Sequence, residues 1–597
     1  MGKILLIEPN YKNKYPPLGL MKISTFHKEY RKDYVKFIKG INKEEELEPL
    51  WDRIYITTLF TFDYKIVIET IEYYKKFVKN WKKDIIIGGI LASLLPDKIF
   101  EATGIKPFKG QITSASQIGY EKWKETNIDI LTLDYDILSE IEYEYSAGDN
   151  YFGYTSRGCL RKCPFCAVSE LEPIFMTTNN IKNQIEDIDN KYGEKRNLLL
   201  MDNNILHSPN LKEIISDLNI LGFKKGEKTY LKSIPYINIY NRIQRRKKFN
   251  IPEYNSEILK DIDKILVEFS NVIEKRPNIF LKSIIEDIIN SDSLEEKYEI
   301  LEEKNNQIIE ILKQCFHRKK LERFVDFNQG TDARLLTEDK MAVLSKIAVK
   351  PYRIALDGVH LKDIYENAVR LAHSYGVKTF SNYILFNYED TPEDFWDRLN
   401  FNINLSQELD LQDLFSFPMK FSPIQETDRK FIGRHWTKKK ISNIYAILNA
   451  KKGIVPKKKE YFDIAFGKNI EEFKELLNYP RDFIIFRNYF KEIKFVEKWK
   501  KLFDSLNEIE KKEFEKIVDK KYNGKNEIIK KLINIEYINK NKTDYIQRLL
   551  FENKKIDNDT FFNITYEVAE RRIISKKDIK IYFEKKGYIN QIKKSLI

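Results

Sequence analysis

Cysteine is scarce in this chain of 597 residues, which contains four. Three of them, Cys159, Cys163 and Cys166, fall within eight residues, and Cys315 stands far away in the sequence. This distribution excludes the disulfide framework of a small secreted domain, which needs several pairs of spaced cysteines. A reducing compartment and a metal site fit better, so we expect a cytoplasmic protein.

Long apolar runs are also missing. No stretch approaches the roughly 18 apolar residues that a membrane span requires, so we expect no membrane association. Residues 1–8, MGKILLIE, lack the apolar segment of a signal peptide and predict a first strand. The chain has no internal repeat and no Gly/Ser linker, yet it is too long for one hydrophobic core. These features predict about three domains.

Positive charge is unevenly distributed. The net charge is +13, and residues 437–597 hold about 39 Lys and Arg against about 24 Asp and Glu. Residues 1–436 are nearly neutral, with about 64 against about 66. A compositional bias toward Lys, Asn and Ile is the alternative explanation, but it would act on the whole chain. We therefore predict a basic helical C-terminal domain over 437–597 that binds an anionic partner, a nucleic acid first of all.

Residues 1–145 alternate between strand and helix signals. Apolar runs predict strands at Ile4–Ile7, Arg53–Phe60 and Asp84–Ile87, with amphipathic helices at Leu20–Tyr30 and Tyr64–Trp81 between them. Strands that alternate with helices imply a parallel sheet covered by helices. We predict an α/β fold that begins with a Rossmann-like domain.

A second alternating series occupies residues 146–436. Its predicted strands share apolar, β-branched or aromatic composition: Tyr151–Ser156, Asn197–Asp202, Arg323–Asn328, Tyr352–Asp357, Thr379–Phe386 and Leu414–Phe421. The sequence Thr391-Pro392-Glu393 predicts a helix start, because Thr caps and Pro fits the first turn. Six βα units fall short of the eight in a closed barrel. The series therefore predicts a partial (βα)6 barrel, interrupted at about 225–320 by a charged helical insertion.

The clustered cysteines form a C-x-x-x-C-x-x-C motif between a predicted strand and a predicted helix. Thiolates hold [4Fe–4S] clusters, and three ligands leave the fourth iron free of protein. A zinc site is the alternative, but zinc takes four closed ligands in structural sites. The motif contains no His, and the nearest is His207. A non-catalytic iron–sulfur scaffold and a zinc-binding interaction protein stay open as alternatives.

The motif resembles that of the radical S-adenosylmethionine superfamily, including the aromatic Phe165 before the last cysteine. The resemblance covers roughly residues 150–425. The N-terminal part is similar to the cobalamin-binding-type domain of one branch, in which a stretch like residues 15–20, YPPLGL, is typical. The resemblance implies one [4Fe–4S] cluster on the three cysteines and S-adenosylmethionine on the fourth iron. It also implies a reductase or flavodoxin-type electron donor and a 5′-deoxyadenosyl radical that abstracts a substrate hydrogen.

Polar residues gather where the barrel strands end, which is where βα barrels bind ligands. For the cofactor, the resemblance points to Phe165 near adenine and to the end of the second strand near the amino group. The Gly-Gly-Glu form of the family is absent there. The candidates for cofactor binding are Phe165, Asp202, Asn203, Asn328, Gln329, Arg334, Asp357 and Asn387. Helix capping or loop solvation is the alternative for each, and no catalytic residue is assigned.

The chain departs from relatives in two respects. Cobalamin-dependent members present a His on an Asp-x-His-x-x-Gly loop, whereas His27 is the only His in the first 150 residues and lies in a predicted helix. We expect His27 to be structural and the domain to be degenerate or to bind cobalamin without a His ligand. Second, Cys315 alone cannot supply another cluster, so methylthiotransferase and cysteine-rich peptide-modifying chemistry are disfavoured. Cys315 itself is either a buried apolar residue or a hydrogen-atom donor. A peptide or small-molecule substrate is the alternative to a nucleic acid.

Overall fold

The structure is a computed structural model. It describes residues 1–42, 50–177, 181–230, 234–315, 320–451, 453–485, 487–492, 494–517, 522 and 524–535. The chain divides into two compact units. The first unit comprises Met1–Gln329, Ala342–Lys350 and Ile424–Arg429, and the second comprises Gly330–Met341, Pro351–Pro423 and Lys430–Ile597. In the described part of the chain, every helix is too short or too polar to cross a membrane. The domain boundaries at 145 and 436 stay predictions.

A four-stranded parallel sheet opens the first unit. Its strands are β1 (Lys3–Glu8), β2 (Tyr34–Lys39), β3 (Arg53–Thr58) and β4 (Ile85–Gly89), in the order β2-β1-β3-β4. The helices of this region are α1 (Leu18–Thr25), α2 (Tyr64–Tyr74), α3 (Trp81–Asp84), α4 (Ile90–Leu94) and α5 (Pro96–Thr103). The predicted parallel α/β organisation is confirmed. The sequence did not predict β2, in which two apolar pairs are each followed by a lysine, Lys36 and Lys39.

The first unit continues with seven short strands. They are β5 (Tyr151–Gly153), β6 (Ser156–Arg157), β7 (Met176–Thr177), β8 (Leu198–Leu200), β9 (Lys228–Tyr230), β10 (Lys320–Glu322) and β11 (Val325–Phe327). Three of them, β5, β8 and β11, are fully buried and pair in parallel in the order β11-β8-β5. The two other pairs, β6 with β7 and β9 with β10, are antiparallel. The helices α6 (Val168–Leu171), α7 (Ile181–Tyr192) and α8 (Leu211–Leu218) lie between these strands in the chain.

Four helices occupy the predicted insertion: α9 (Pro235–Phe249), α10 (Asn255–Lys275), α11 (Ile279–Asn290) and α12 (Leu294–Cys315). In α10 the buried residues recur at helical spacing, for example Ile258, Ile262 and Ile265, which gives the helix one apolar face. These faces pack into the same hydrophobic core as the four-stranded sheet. The insertion is thus built onto the N-terminal part of its unit.

The second unit contains three parallel strands, β12 (Tyr352–Ala355), β13 (Thr379–Phe386) and β14 (Asp413–Lys420), in that order. Helices α14 (Lys362–Ser374) and α15 (Pro392–Glu408) connect them, and α13 (Glu338–Leu344) precedes them. Thr391 caps α15 in a capping box with Asp394, as the sequence predicted. All six strands predicted after residue 150 are present, as two parallel sheets of three. Their union in one partial barrel stays a prediction.

The C-terminal helices belong to the second unit. They are α16 (Lys438–Leu448), α17 (Lys459–Phe466), α18 (Ile470–Asn478), α19 (Arg481–Ile485), α20 (Arg487–Glu492), α21 (Phe495–Asp504) and α22 (Glu508–Ile517). Their buried residues, such as Phe466, Phe473 and Trp499, form one core with Phe386 of β13 and Phe395 of α15. The predicted helical character is confirmed for the residues that the structure describes.

Candidate metal centre

The three clustered cysteines lie on the loop between β6 and α6. All three are half-buried and lie outside any disulfide bond. The backbone N–H of Cys166 donates a hydrogen bond to the carbonyl oxygen of Cys163 at 3.0 Å, so these two residues share one tight turn. Cys159 precedes that turn. The loop therefore presents three reachable thiols over a short length of chain.

Polar residues follow the carboxyl ends of the three parallel strands of the first unit. Gly153 is in register with Leu200, and Leu200 with Phe327, so the strands end at one edge of the sheet. The cysteine loop follows the first of these ends, Asp202 the second and Asn328 the third. This edge is where a βα protein binds ligands, and the structure brings these predicted residues to it.

A glycine shapes the entry to the loop. Gly158 has a left-handed backbone with φ of 75°, and a Cβ added there would lie 2.4 Å from the carbonyl oxygen of Ile174. That distance is far inside van der Waals contact, so no larger residue fits. The close approach lets the chain turn sharply just before Cys159.

Glu172 holds the loop in place. Its Oε2 accepts hydrogen bonds from the backbone N–H of Gly158 at 2.8 Å and from Nδ2 of Asn203 at 2.6 Å. Its Oε1 accepts from Nε2 of Gln111 at 2.8 Å and from Nη1 of Arg157 at 3.2 Å. One carboxylate thus ties the cysteine loop to the predicted site residue Asn203. Sequence reasoning missed Glu172, because nothing local distinguishes it from other glutamates.

Arg157 links Glu172 to a second carboxylate, Asp129. Its Nη2 lies 2.7 Å from Oδ1 of Asp129, and Nζ of Lys22 lies 2.8 Å from the same oxygen. The guanidinium sits 3.5 Å from the centroid of the Tyr154 ring. Burial lowers the pKa of Lys22, although Asp129 opposes the shift. A cavity of about 290 Å³ adjoins these side chains and is lined by Lys22, Asp129, Ile130, Leu131, Thr132, Leu133, Phe152, Tyr154, Asn183, Gln184, Asp187 and Ile188.

Asp202 is buried and contacts the chain just before the cysteine loop. Its carboxylate accepts hydrogen bonds from the backbone N–H of Thr155 at 3.0 Å, from Oγ1 of Thr155 at 2.6 Å and from Oγ of Ser156 at 2.6 Å. Burial raises the pKa of Asp202, and these donors oppose the shift. The contacts fix the connection between β5 and β6. Its role toward a cofactor stays a prediction.

The neighbouring Asn204 positions a residue that the sequence had set aside. Its side chain caps the 3-10 turn Ile205–His207 by accepting from the N–H of Leu206. The turn brings Nδ1 of His207 to 3.8 Å from Sγ of Cys159. The ring of Phe175 meets the imidazole edge-on, with 6.0 Å between the centroids. His207 is therefore adjacent to the cysteine loop, although 48 residues separate it from Cys159.

Asn328 follows the third strand and is buried. Its Oδ1 accepts a hydrogen bond of 2.5 Å from the Tyr15 hydroxyl. Tyr15 opens the YPPLGL stretch, so the structure joins that stretch to the edge of the parallel sheet. Gln329 is exposed and Phe165 is half-buried within the loop. Contacts of these residues with a cofactor stay predictions.

The other three predicted residues lie in the second unit. Arg334 makes a two-pronged ion pair with Asp332, at 2.7 and 3.0 Å. Burial raises the pKa of Asp357 to about 6, although Arg398 and Arg334 oppose the shift. Their roles stay predictions.

Asn387 is fully buried, and its side chain forms hydrogen bonds with backbone groups. Its Nδ2 donates to the carbonyl oxygens of Phe421 at 3.0 Å and Phe431 at 3.2 Å, and its Oδ1 accepts from the N–H of Gly433 at 2.7 Å. With φ of 66°, it occupies the left-handed region, which Asn tolerates better than most residues. Through these bonds Asn387 connects the segments at Phe421, Phe431 and Gly433. Its role at the cofactor stays a prediction.

The thiol set suits a cluster by its chemistry. In the described part of the chain, no group of three or more His, Cys, Asp or Glu side chains is placed to hold a single metal ion. A [4Fe–4S] cluster makes a different demand, because each thiolate binds its own iron. Cys315 packs against the hydrophobic core of the sheet and insertion, which agrees with a packing role for this residue. The three loop cysteines therefore fit a cluster with one iron free of protein.

His27 does not fit a cobalt ligand. It is fully buried, with Nδ1 at 2.8 Å from Oδ2 of Asp33 and Nε2 at 3.0 Å from the hydroxyl of Tyr55. Both ring nitrogens are thus engaged inside the sheet domain. Burial lowers the pKa of His27 to about 4, so the imidazole is neutral. The expected structural role agrees with this geometry.

No protein-family model matches the sequence, and no curated protein matches it. Among solved structures, the chain aligns with the radical S-adenosylmethionine methyltransferase TsrM from Kitasatospora setae, which was determined with its tryptophan substrate and the analogue aza-SAM bound. The identity is 12% and the TM-score 0.38, over 70% of this chain and 73% of that chain. Similarity at this level does not assign an activity.

Proposed function

We propose that this chain is a radical S-adenosylmethionine enzyme with a single [4Fe–4S] cluster on Cys159, Cys163 and Cys166. The observation that carries the proposal is the placement of three half-buried cysteines, none of them in a disulfide, on a loop that follows the carboxyl edge of a parallel sheet. When bound, the cluster and S-adenosylmethionine supply a 5′-deoxyadenosyl radical that abstracts hydrogen from a substrate. A reductase or flavodoxin-type protein would donate the electron.

The chain's own residues would hold this centre in place. Glu172 fixes the backbone at Gly158 and orients Asn203 toward the same loop. Asp202 holds the strand connection under the loop through Thr155 and Ser156. Asn203, which is half-buried, is the better placed of the two for contact with the cofactor. Asp202 is 4% exposed and already accepts several hydrogen bonds.

Anaerobic reconstitution tests the proposal. Wild-type protein should bind about four irons per chain, as one [4Fe–4S] cluster requires, and should cleave S-adenosylmethionine to 5′-deoxyadenosine and methionine under a strong reductant. Cys163→Ala should lose both properties. Cys315→Ala is the matched control and should keep both, because Cys315 packs against the core of the sheet and insertion and is not part of the cysteine loop. One zinc per chain without cleavage would contradict the proposal.

For the substrate we propose a nucleic acid, because the positive excess of the chain lies in residues 437–597. Phosphates attract such a domain through counterion release. Binding of RNA or DNA to the full chain should weaken steeply as salt rises, with a linear fall of log affinity against log salt. A weak interaction that salt does not change would instead favour a peptide or small-molecule substrate.

A further inference from the structure

Two nitrogen atoms lie within hydrogen-bonding distance of the Cys159 sulfur. The backbone N–H of Arg161 donates to Sγ of Cys159 at 3.4 Å. Nδ1 of His207 approaches the same sulfur at 3.8 Å, within the range of hydrogen bonds to sulfur. Two nitrogen groups from different loops therefore converge on one of the three thiols.

The position of His207 is built by its neighbours. Asn204 caps the 3-10 turn that ends at His207, and the edge-on contact with Phe175 limits rotation of the imidazole. Gly158 lies against the chain at Ile174, so the segment that carries Phe175 is packed on the cysteine loop. The imidazole is thus held beside Cys159 from two sides.

We propose that His207 donates an Nδ1–H hydrogen bond to the Cys159 thiolate and thereby raises the reduction potential of the cluster. In this role His207 acts on the cluster through the sulfur of Cys159 and binds no iron itself. The inference rests on the proposed function, since it concerns the cluster that the three cysteines would hold.

The direction of the effect follows from charge. Reduction adds a negative charge to the cluster, part of which resides on the sulfur ligands. Hydrogen-bond donors aimed at those sulfurs stabilise the reduced form and raise the potential. The Arg161 donor belongs to the backbone and survives any substitution of its side chain, whereas the His207 donor is a side chain that a mutation removes.

The size of the effect follows from the length of the contact. Only the part of the hydrogen bond that strengthens when the cluster is reduced moves the potential, and a sulfur acceptor at 3.8 Å makes a weak bond. Loss of the bond should therefore change the ratio of reduced to oxidised cluster at one fixed poise by about tenfold at most. Tenfold corresponds to about 59 mV for a one-electron couple.

The experiment compares reconstituted wild type, His207→Phe and His207→Asn in a redox titration at one fixed pH. The signal is the electron paramagnetic resonance of the reduced cluster, and iron content is measured on each sample. His207→Phe should lower the potential by up to about 59 mV, which is the equivalent of a tenfold ratio. His207→Asn should keep a potential close to that of the wild type, since the Asn amide can place an N–H close to the position of Nδ1. If the Phe variant binds less iron, His207→Ala takes its place.

Three results would overturn the inference. A full cluster with the same potential in wild type and His207→Phe would show that the imidazole does not act on the cluster. Hyperfine coupling to ¹⁵N-labelled histidine of the strength of a direct ligand would place His207 on an iron. A wild-type chain that binds no cluster would contradict the proposed function itself. This failure can be told from the other two because it is seen in the wild type, before any variant is measured.

Discussion

Removal of the charge on Glu172 gives the most direct test of how the cysteine loop is held. Glu172→Gln keeps the shape of the side chain but replaces one acceptor oxygen with an NH2 group, which cannot accept. Of the four donors that converge on this carboxylate, about two should lose their acceptor. Arg157 keeps its second carboxylate partner, Asp129, so the loss should concentrate on Gly158, Asn203 and Gln111.

The magnitude follows from these contacts. A hydrogen bond to a charged group contributes about 1.5–3 kcal/mol, and the Glu172 side chain is 17% exposed, which favours the lower value. Two lost bonds should therefore lower the free energy of opening the loop by about 3 kcal/mol. Amide exchange in the loop should then speed up by roughly a hundredfold, since each 1.4 kcal/mol corresponds to a factor of ten.

Hydrogen–deuterium exchange with mass spectrometry measures this change in peptides that contain Gly158, whose N–H donates to Glu172. Glu170→Gln is the matched control, because Glu170 is an exposed carboxylate two residues away on α6. The rate at which a chelator strips iron from reconstituted protein should rise in the same variant. Unchanged exchange in Glu172→Gln, or an equal change in Glu170→Gln, would refute the proposed anchoring.

Two further predictions concern the glycine before the loop and the buried imidazole. Gly158→Ala should abolish stable cluster loading, because its Cβ would lie 2.4 Å from the Ile174 carbonyl oxygen. Gly193→Ala is the control, because Gly193 has a φ of 76° and open space around it. This variant should lose only about 1 kcal/mol of folding stability to the left-handed backbone and should bind the cluster normally. His27, with a pKa lowered to about 4 by burial, takes up protons in the unfolded chain near pH 6.5 and in the folded chain only near pH 4. Its contribution is therefore complete above pH 6.5 and is lost as the pH falls toward 4, by about 2 kcal/mol between pH 7 and 4.5. Urea unfolding of His27→Gln should show a smaller acid loss than wild type, and parallel curves would contradict this.

Much of the fold was predictable because strands and helix ends are local signals. A short apolar run such as Leu198–Leu200 favours a buried strand because it is too short for a helix. The Thr391 cap needs only the three residues after it. The strand Tyr34–Lys39 was missed because its two lysines dilute the apolar pattern. Its parallel pairing with β1 is a property of the sheet, which no local window contains.

The sequence by itself determined that three cysteines share one loop between a strand and a helix, because their close spacing along the chain leaves no room for another element between them. Only the tertiary structure decided what surrounds them. Glu172 meets Asn203 across 31 residues, His207 meets Cys159 across 48, and Tyr15 meets Asn328 across 313. Such contacts arise because parallel strands gather their carboxyl ends at one edge, and that edge is formed by pairing between distant segments.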